Sequence, residues 1–226
     1  MYAEELWTDQ VELKDTRGCA VADFSVSFNG RVSARVITRD GTPIAHVALK
    51  LIATTDGAYP ERVAQTDALG RVVLEHVPPG RFVLGFDVPV SGSDSRVTQF
   101  YLPGTSDRAE ARPVRVGPSD TIAVGDFVIP DTMRFVTMTG TVQYPDGKAV
   151  EGASVYLKVG GADSSWIEPI IRTQSDGRFA FALLEEHEYR LLVEVFAPPQ
   201  GIARAELTGI LAGPNMKPVV LIPIRK

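Results

Sequence analysis

At 226 residues the chain has length for two cores of about 100 residues each, and 44% apolar residues with a mean hydropathy of +0.03 exclude a disordered chain. A net charge of -5 and a pI near 5.3, with Lys and Arg scattered along strand positions that read as solvated faces, exclude a nucleic-acid binder. No apolar run approaches the roughly 20 residues of a membrane-spanning helix, and the one cysteine, Cys19, excludes an internal disulfide.

Residues 1–20 carry five acidic side chains and no apolar signal-peptide core, so this chain by itself does not fix a location. Residues 4–13 have a mixed, weakly helical pattern. Residues 11–24 (VELKDTRGCAVADF) align without gaps with residues 114–127 (VRVGPSDTIAVGDF), which predicts the terminal strand of an incomplete preceding unit over residues 1–25. Cys19 falls on Ile122 and is expected to be a small buried hydrophobe. Leaving Val11, Leu13, Val21 and Phe24 in water would cost several kcal/mol, at roughly 1.5–3 per large side chain. The segment is therefore expected to dock on the first sandwich or to pair with another copy of the chain.

From residue 31 the alternation of Val32, Ala34 and Val36 with Arg31, Ser33 and Arg35 predicts a half-buried strand. Asp40-Gly41 supplies a tight turn, residues 47–51 resume the alternation, and residues 54–60 read as a polar loop. Short strands are predicted at 72–74, after the Gly70 turn, and at 81–86, after Val77-Pro78-Pro79-Gly80. Strands at 113–116 and 122–129 close the unit, and Ile129-Pro130-Asp131-Thr132 reads as a short linker.

The pattern then recurs. Residues 31–51 align without gaps with residues 137–157, 106 positions on, so Asp40-Gly41 meets Asp146-Gly147. After one inserted residue Thr66, Gly70 and Val72 meet Thr173, Gly177 and Phe179, and Phe82, Leu84 and Phe86 meet Tyr189, Leu191 and Val193. The copy carries a polar loop at 159–165, a strand at 179–181, a turn at 184–187 and strands near 205–211 and 218–222. Many short strands jointed by Gly and Pro predict an all-β protein: two tandem antiparallel β-sandwiches, residues 26–130 and 131–226, preceded by the stray strand of residues 1–25. So short a linker keeps the two in contact or in a narrow range of orientations.

A strand ending in Asp-Gly, an alternating apolar strand, Thr-x-x-x-Gly-Arg-Phe or Val, and Pro78-Pro79-Gly80 before an aromatic together resemble the carboxypeptidase regulatory-like domain. Both copies match, over residues 41–86 and 147–193, although the second lacks the Pro-Pro-Gly turn. The continuation Tyr101-Leu102-Pro103-Gly104 with Asp126-Phe127 looks like the longer units of exported bacterial multi-domain proteins. The resemblance implies a transthyretin-like, carbohydrate-binding-like sandwich in a periplasmic or extracellular protein, exported if an upstream segment carries the signal. It implies an accessory role beside other domains and no catalysis of its own.

Chemistry-bearing residues are sparse. His46, His76 and His187 lie in separate contexts without metal-ligand spacing, and no loop has the acidic periodicity of a tight Ca²⁺ site. No catalytic, metal or cofactor residue is expected. The surface feature singled out is aromatic: Trp166 in the polar stretch 160–168, Tyr59 in the corresponding earlier loop, and Tyr101 before Pro103-Gly104. Exposed rings of this kind can stack on sugars or meet a protein. The alternative is that Trp166 folds back on the sandwich end or at the inter-domain contact, and that Tyr101 sits with Phe100 in a strand. The expected function is a non-catalytic structural or interaction module of a larger bacterial protein, with a carbohydrate-binding module or an adhesin-like spacer as alternatives. Its partner is a protein or a glycan.

Overall fold

The computed structural model describes residues 28–54, 61–90, 97–160, 166–196 and 201–224. The strand expected within residues 1–25, Cys19 with it, and Tyr59 lie outside the described residues. The described chain is all-β, as expected, and its one helical element is a 3₁₀ turn at Arg108–Glu110.

The first repeat builds two sheets. One orders β4 (Arg71–Val77), β1 (Gly30–Thr38) and β8 (Thr121–Ile129). The other orders β3 (Arg62–Gln65), β2 (Ala48–Ala53), β5 (Gly80–Pro89) and β6 (Val97–Tyr101). There β7 (Pro113–Val116) follows β6 along the same edge of β5. The second repeat reproduces both. Its β12 (Arg178–Leu184), β9 (Phe135–Val142) and β15 (Val219–Leu221) form one sheet, and β11 (Trp166–Arg172), β10 (Ser154–Val159), β13 (Glu188–Phe196) and β14 (Ile202–Leu211) form the other.

Alternation explains the cores. Val32, Ala34 and Val36 of β1, Leu49 and Leu51 of β2, and Phe82, Leu84 and Phe86 of β5 point into one buried cluster. Phe86 lies 5.6 Å from Phe100 and 5.5 Å from Phe127, centroid to centroid, in tilted contacts. Met138, Val142, Val155, Leu157, Leu191 and Val193 anchor a second cluster at the equivalent positions. Tyr189 takes the position of Phe82, and its hydroxyl donates to the carbonyl of Leu184 while accepting from that residue's amide. Burial pushes this phenol far above its ordinary range.

Two findings correct the sequence-based expectation. The sheets are not wholly antiparallel, because β8 runs parallel to β1 and β15 parallel to β9. Each closing strand arrives from the opposite sheet instead of through a hairpin, so nothing forces it to reverse direction. Also, β11 begins at Trp166, within the stretch expected as a loop, with Trp166 opposite Lys158. Pairing to β10 overrides the polar composition there.

Both repeats use the same corner. As the chain leaves β1 for β2, the buried Thr66 hydroxyl donates to the carbonyl of Ile44 at 2.7 Å and accepts from the amide of Val47 at 3.0 Å. Thr173 does the same with Val150 at 2.6 Å and Ala153 at 2.9 Å. Gly70 and Gly177 sit beside these corners at φ +71° and +76°, where an added Cβ would come within 2.4 Å of the Val36 carbonyl oxygen and 2.5 Å of that of Val142. The same carbonyl-bearing residues accept the chain back, since the amides of Val36 and Val142 donate to the carbonyls of Gly70 and Gly177.

Gly70→Ala and Gly177→Ala should each destabilise by about 1–3 kcal/mol from backbone strain, with the close approach adding to it. Gly41→Ala, at φ +86° with open space around it, should cost less, and Gly41→Asn less again. Urea unfolding of the four variants checks the order, and equal losses at Gly41 and Gly70 would contradict the packing account.

Candidate functional site

The outer face of the β3-β2-β5-β6 sheet is where the first repeat departs from an ordinary solvated surface. Leu49 and Leu51 point inward, so Lys50 and Ile52 of β2 point out, as do Val83, Gly85 and Asp87 of β5. Yet Ile52, Val83, Tyr101 and Ala111 form a small buried cluster of their own there. Gly85 makes room for it: a Cβ would lie 2.9 Å from the Tyr101 ring and 2.7 Å from the Phe100 carbonyl oxygen.

Beside this cluster Lys50 Nζ lies 2.8 Å from Asp87 Oδ2 and 3.6 Å from Glu61 Oε2. The side chains of Lys50 and Asp87 are only 8% and 4% exposed, which corrects the expectation that the lysines are solvated. The Tyr101 hydroxyl donates to Gln99 Oε1 at 2.6 Å. Burial raises the Tyr101 phenol; the Arg108 guanidinium works against this and the carboxylates of Asp87 and Glu61 with it. Arg108 itself donates to the Ala53 carbonyl at 2.7 Å, tying the 3₁₀ turn down over the face.

The second repeat places a related pair at the same positions. Tyr156 replaces Lys50 and donates its hydroxyl to Glu194, the counterpart of Asp87, at 3.1 Å. Arg204 of β14 donates to the other oxygen of Glu194 at 2.8 Å. A donor on the second strand and an acid on the fifth thus recur although the donor's chemistry differs. The arrangement is a cross-strand clamp, not a reactive group.

The second notable place is the contact between the repeats. The His46 carbonyl accepts from the Ala182 amide of β12 at 3.1 Å and from Gln65 Nε2 at 3.3 Å, and Gln65 Nε2 also lies 3.3 Å from the Ala180 carbonyl oxygen. His46 stands at φ 63°, a conformation that costs a non-glycine residue energy, and partial burial lowers its imidazole pKa. Phe135, the first residue of β9, packs edge-on against Phe86 of the first core at 5.8 Å. Val97 of β6 reaches the second core. Pro89, Phe135, Ala182, Leu184 and Tyr189 line a small enclosed space between them.

The residues singled out from sequence are not brought together. Tyr101 is buried, at 6% exposure, Trp166 occupies the first position of β11, and Tyr59 is outside the described residues. Each histidine has its own setting: His46 lies at the contact just described, His76 Nδ1 is 3.2 Å from the Phe28 carbonyl oxygen, and His187 Nδ1 is 2.8 Å from that of Glu185. Among the described residues no group of three or more His, Cys, Asp or Glu side chains is placed to hold a metal ion. No described helix is long and apolar enough to cross a membrane. Sequence reasoning missed the Lys50–Asp87 pair; two opposite charges at outward positions of paired strands were the available signal.

These features define an all-β protein of β-sandwich type. No protein-family model matches the chain, and no curated protein matches it. Among solved structures it is similar to a streptococcal ancillary pilin, at 12% identity and TM-score 0.32 over 88% of this chain and 63% of the pilin. It is also similar to shaft pilin SpaA from Lactobacillus rhamnosus GG, at 10% identity and TM-score 0.29 over 88% of this chain and 97% of that one. A candidate adhesin from Bacteroides ovatus matches at 10% identity and TM-score 0.29, over 91% and 94% of the two chains. The chain spans less than two thirds of the streptococcal pilin, and at these TM-scores the likeness carries no argument about what it does.

Removing one partner of the buried pair, as in Asp87→Ala, should cost up to about 3–5 kcal/mol, because the buried Lys50 loses its nearest carboxylate and keeps the more distant Glu61 at 3.6 Å. The double variant Lys50→Met/Asp87→Leu should recover most of that loss. Denaturant melts of the singles and the double check this, and a double variant as unstable as Asp87→Ala would contradict the clamp account.

Proposed function

We propose that this chain is a non-catalytic structural module of a larger, exported bacterial protein: two tandem sandwich units, residues 26–130 and 131–226, held in a fixed relation as a spacer. The transthyretin-like, carboxypeptidase regulatory-like assignment belongs to this reading and is supported by the turn and core residues that both repeats carry. The observation that carries the proposal is the direct hydrogen bonding of one repeat to the other, from the Ala182 amide to the His46 carbonyl and from Gln65 Nε2 to the Ala180 carbonyl, next to the Phe86–Phe135 ring contact. A flexible tether would not need backbone of one sheet edge to satisfy backbone of another, nor a ring from one repeat in the core of the other. The sugar-binding alternative finds no assembled aromatic face among the described residues.

Spin labels at Val73→Cys and Tyr144→Cys, both exposed positions, with Cys19→Ser, measure the relation between the two units. One narrow distance distribution is expected, broadening when Gln65→Ala and Phe135→Ala loosen the contact. A broad distribution in the unaltered pair would overturn the spacer reading. Glycan-array binding lost in Trp166→Ala would replace it with the carbohydrate-binding one.

A further inference from the structure

The repeat predicts which part of the second unit is unfinished. In the first repeat, Pro89 and Val97 are a cross-strand pair at the outer end of β5 and β6. Both meet the second repeat: Pro89 lines the enclosed space against Phe135 and Ala182, and Val97 packs on the second core. In the second repeat the same structural position, the end of β13 and β14, holds the pair Phe196 and Ile202. They are 75% and 48% exposed. Ile224, 62% exposed, joins them, because it is bridged to Arg204, two residues along β14 from Ile202. Three large apolar side chains thus lie together where the first repeat has an apolar pair covered by its neighbour.

Isolated exposed apolar residues need no explanation, but a contiguous cluster marks a contact surface. The occupant follows from what covers the equivalent place. Pro89 is met by the leading end of the second repeat, which presents Phe135, Ala182 and Leu184, and Val97 packs beside it on the second core. The first repeat's own leading end has Asn29, Glu75 and Val77 at those positions, with the Arg31–Glu75 ion pair at 3.1 Å and His76 lining an open polar cleft. A second copy of this chain stacked head to tail would press that charged cleft onto Phe196 and Ile202 and strip water from the half-exposed Arg31–Glu75 pair. An apolar leading end like that of the second repeat fits.

We propose that Phe196, Ile202 and Ile224 form a docking surface for the leading end of a further unit of this same repeat, joined in series and carrying apolar residues at the positions of Phe135, Ala182 and Leu184. The inference rests on the tandem-spacer reading and extends it from a pair to an array. Ile224 stands at the repeat position of Pro130, through which the first repeat passes into the second, so the exit strand and the docking surface adjoin each other.

The test extends the full chain by one unit, following Ile224 with a second copy of residues 131–226, and compares it with the 226-residue chain by hydrogen exchange. Docking should slow exchange in the amides around residues 194–204 at least about tenfold. The double substitution Phe196→Asp/Ile202→Asp should abolish the effect, whereas Val73→Asp, at an exposed apolar position elsewhere, should leave it intact. An added unit that folds, seen as a cooperative transition of its own, without protecting residues 194–204 would overturn the docking surface while leaving the spacer reading standing. An added unit that fails to fold would overturn the tandem reading and the docking surface with it. Dimerisation of the 226-residue chain in light scattering, abolished by Phe196→Asp, would assign the surface to a second copy and overturn the proposal.

Discussion

A sandwich of this kind fails or succeeds at the corner where the chain leaves one sheet for the other, and here each corner is fixed by one buried threonine. At the crossover the backbone can belong to neither ladder, so its amide and carbonyl groups would be buried without partners. Thr66 answers both needs with a single hydroxyl, donating to Ile44 and accepting from Val47, and its own backbone pairs with His46 and Val47. Thr173 repeats the arrangement. Because side chains alternate along a strand, fixing this corner also fixes which residues of β2 and β10 face the core. Leu49 and Leu51 then fall inside and Lys50 outside, and the pattern propagates to β5 and β13.

The corner also carries the contact between the repeats. His46 lies between the residues that Thr66 clamps, and its carbonyl is the acceptor that receives the Ala182 amide. The same strained turn that carries the chain between sheets therefore presents the hydrogen-bonding group on which the neighbouring repeat docks. On the outer face, the Lys50–Asp87 and Tyr156–Glu194 pairs hold the second strand to the fifth from the opposite side. Each repeat is thus clamped on both faces of its larger sheet.

Much of this was legible in the sequence because it depends on local chemistry. Asp40-Gly41 and Asp146-Gly147 announce turns, alternation announces β1, β2 and their copies, and the alignment of Thr66 with Thr173 and Gly70 with Gly177 shows that the corners recur. What was not legible depends on partners distant in the chain. β3 and β11 are edge strands whose weak patterns become strands only against β2 and β10. The parallel course of β8 and β15 depends on which sheet the preceding strand occupied. Burial of Lys50 depends on Asp87 and on the 3₁₀ turn far along the sequence. The Phe100-Tyr101 pair reads as strand from the sequence, but the space that Gly85 leaves for the Tyr101 ring depends on pairing with β5.

The most direct test of the corner as the governing constraint is equilibrium unfolding of Thr66→Val and Thr173→Val beside Thr66→Ser and Thr173→Ser. Valine keeps the shape and removes the hydroxyl, leaving a buried amide and carbonyl short of a partner, a loss of about 1–3 kcal/mol at each corner. Serine keeps the hydroxyl and should retain most of the stability. Valine variants as stable as the unaltered chain, or serine variants as unstable as the valines, would contradict the account.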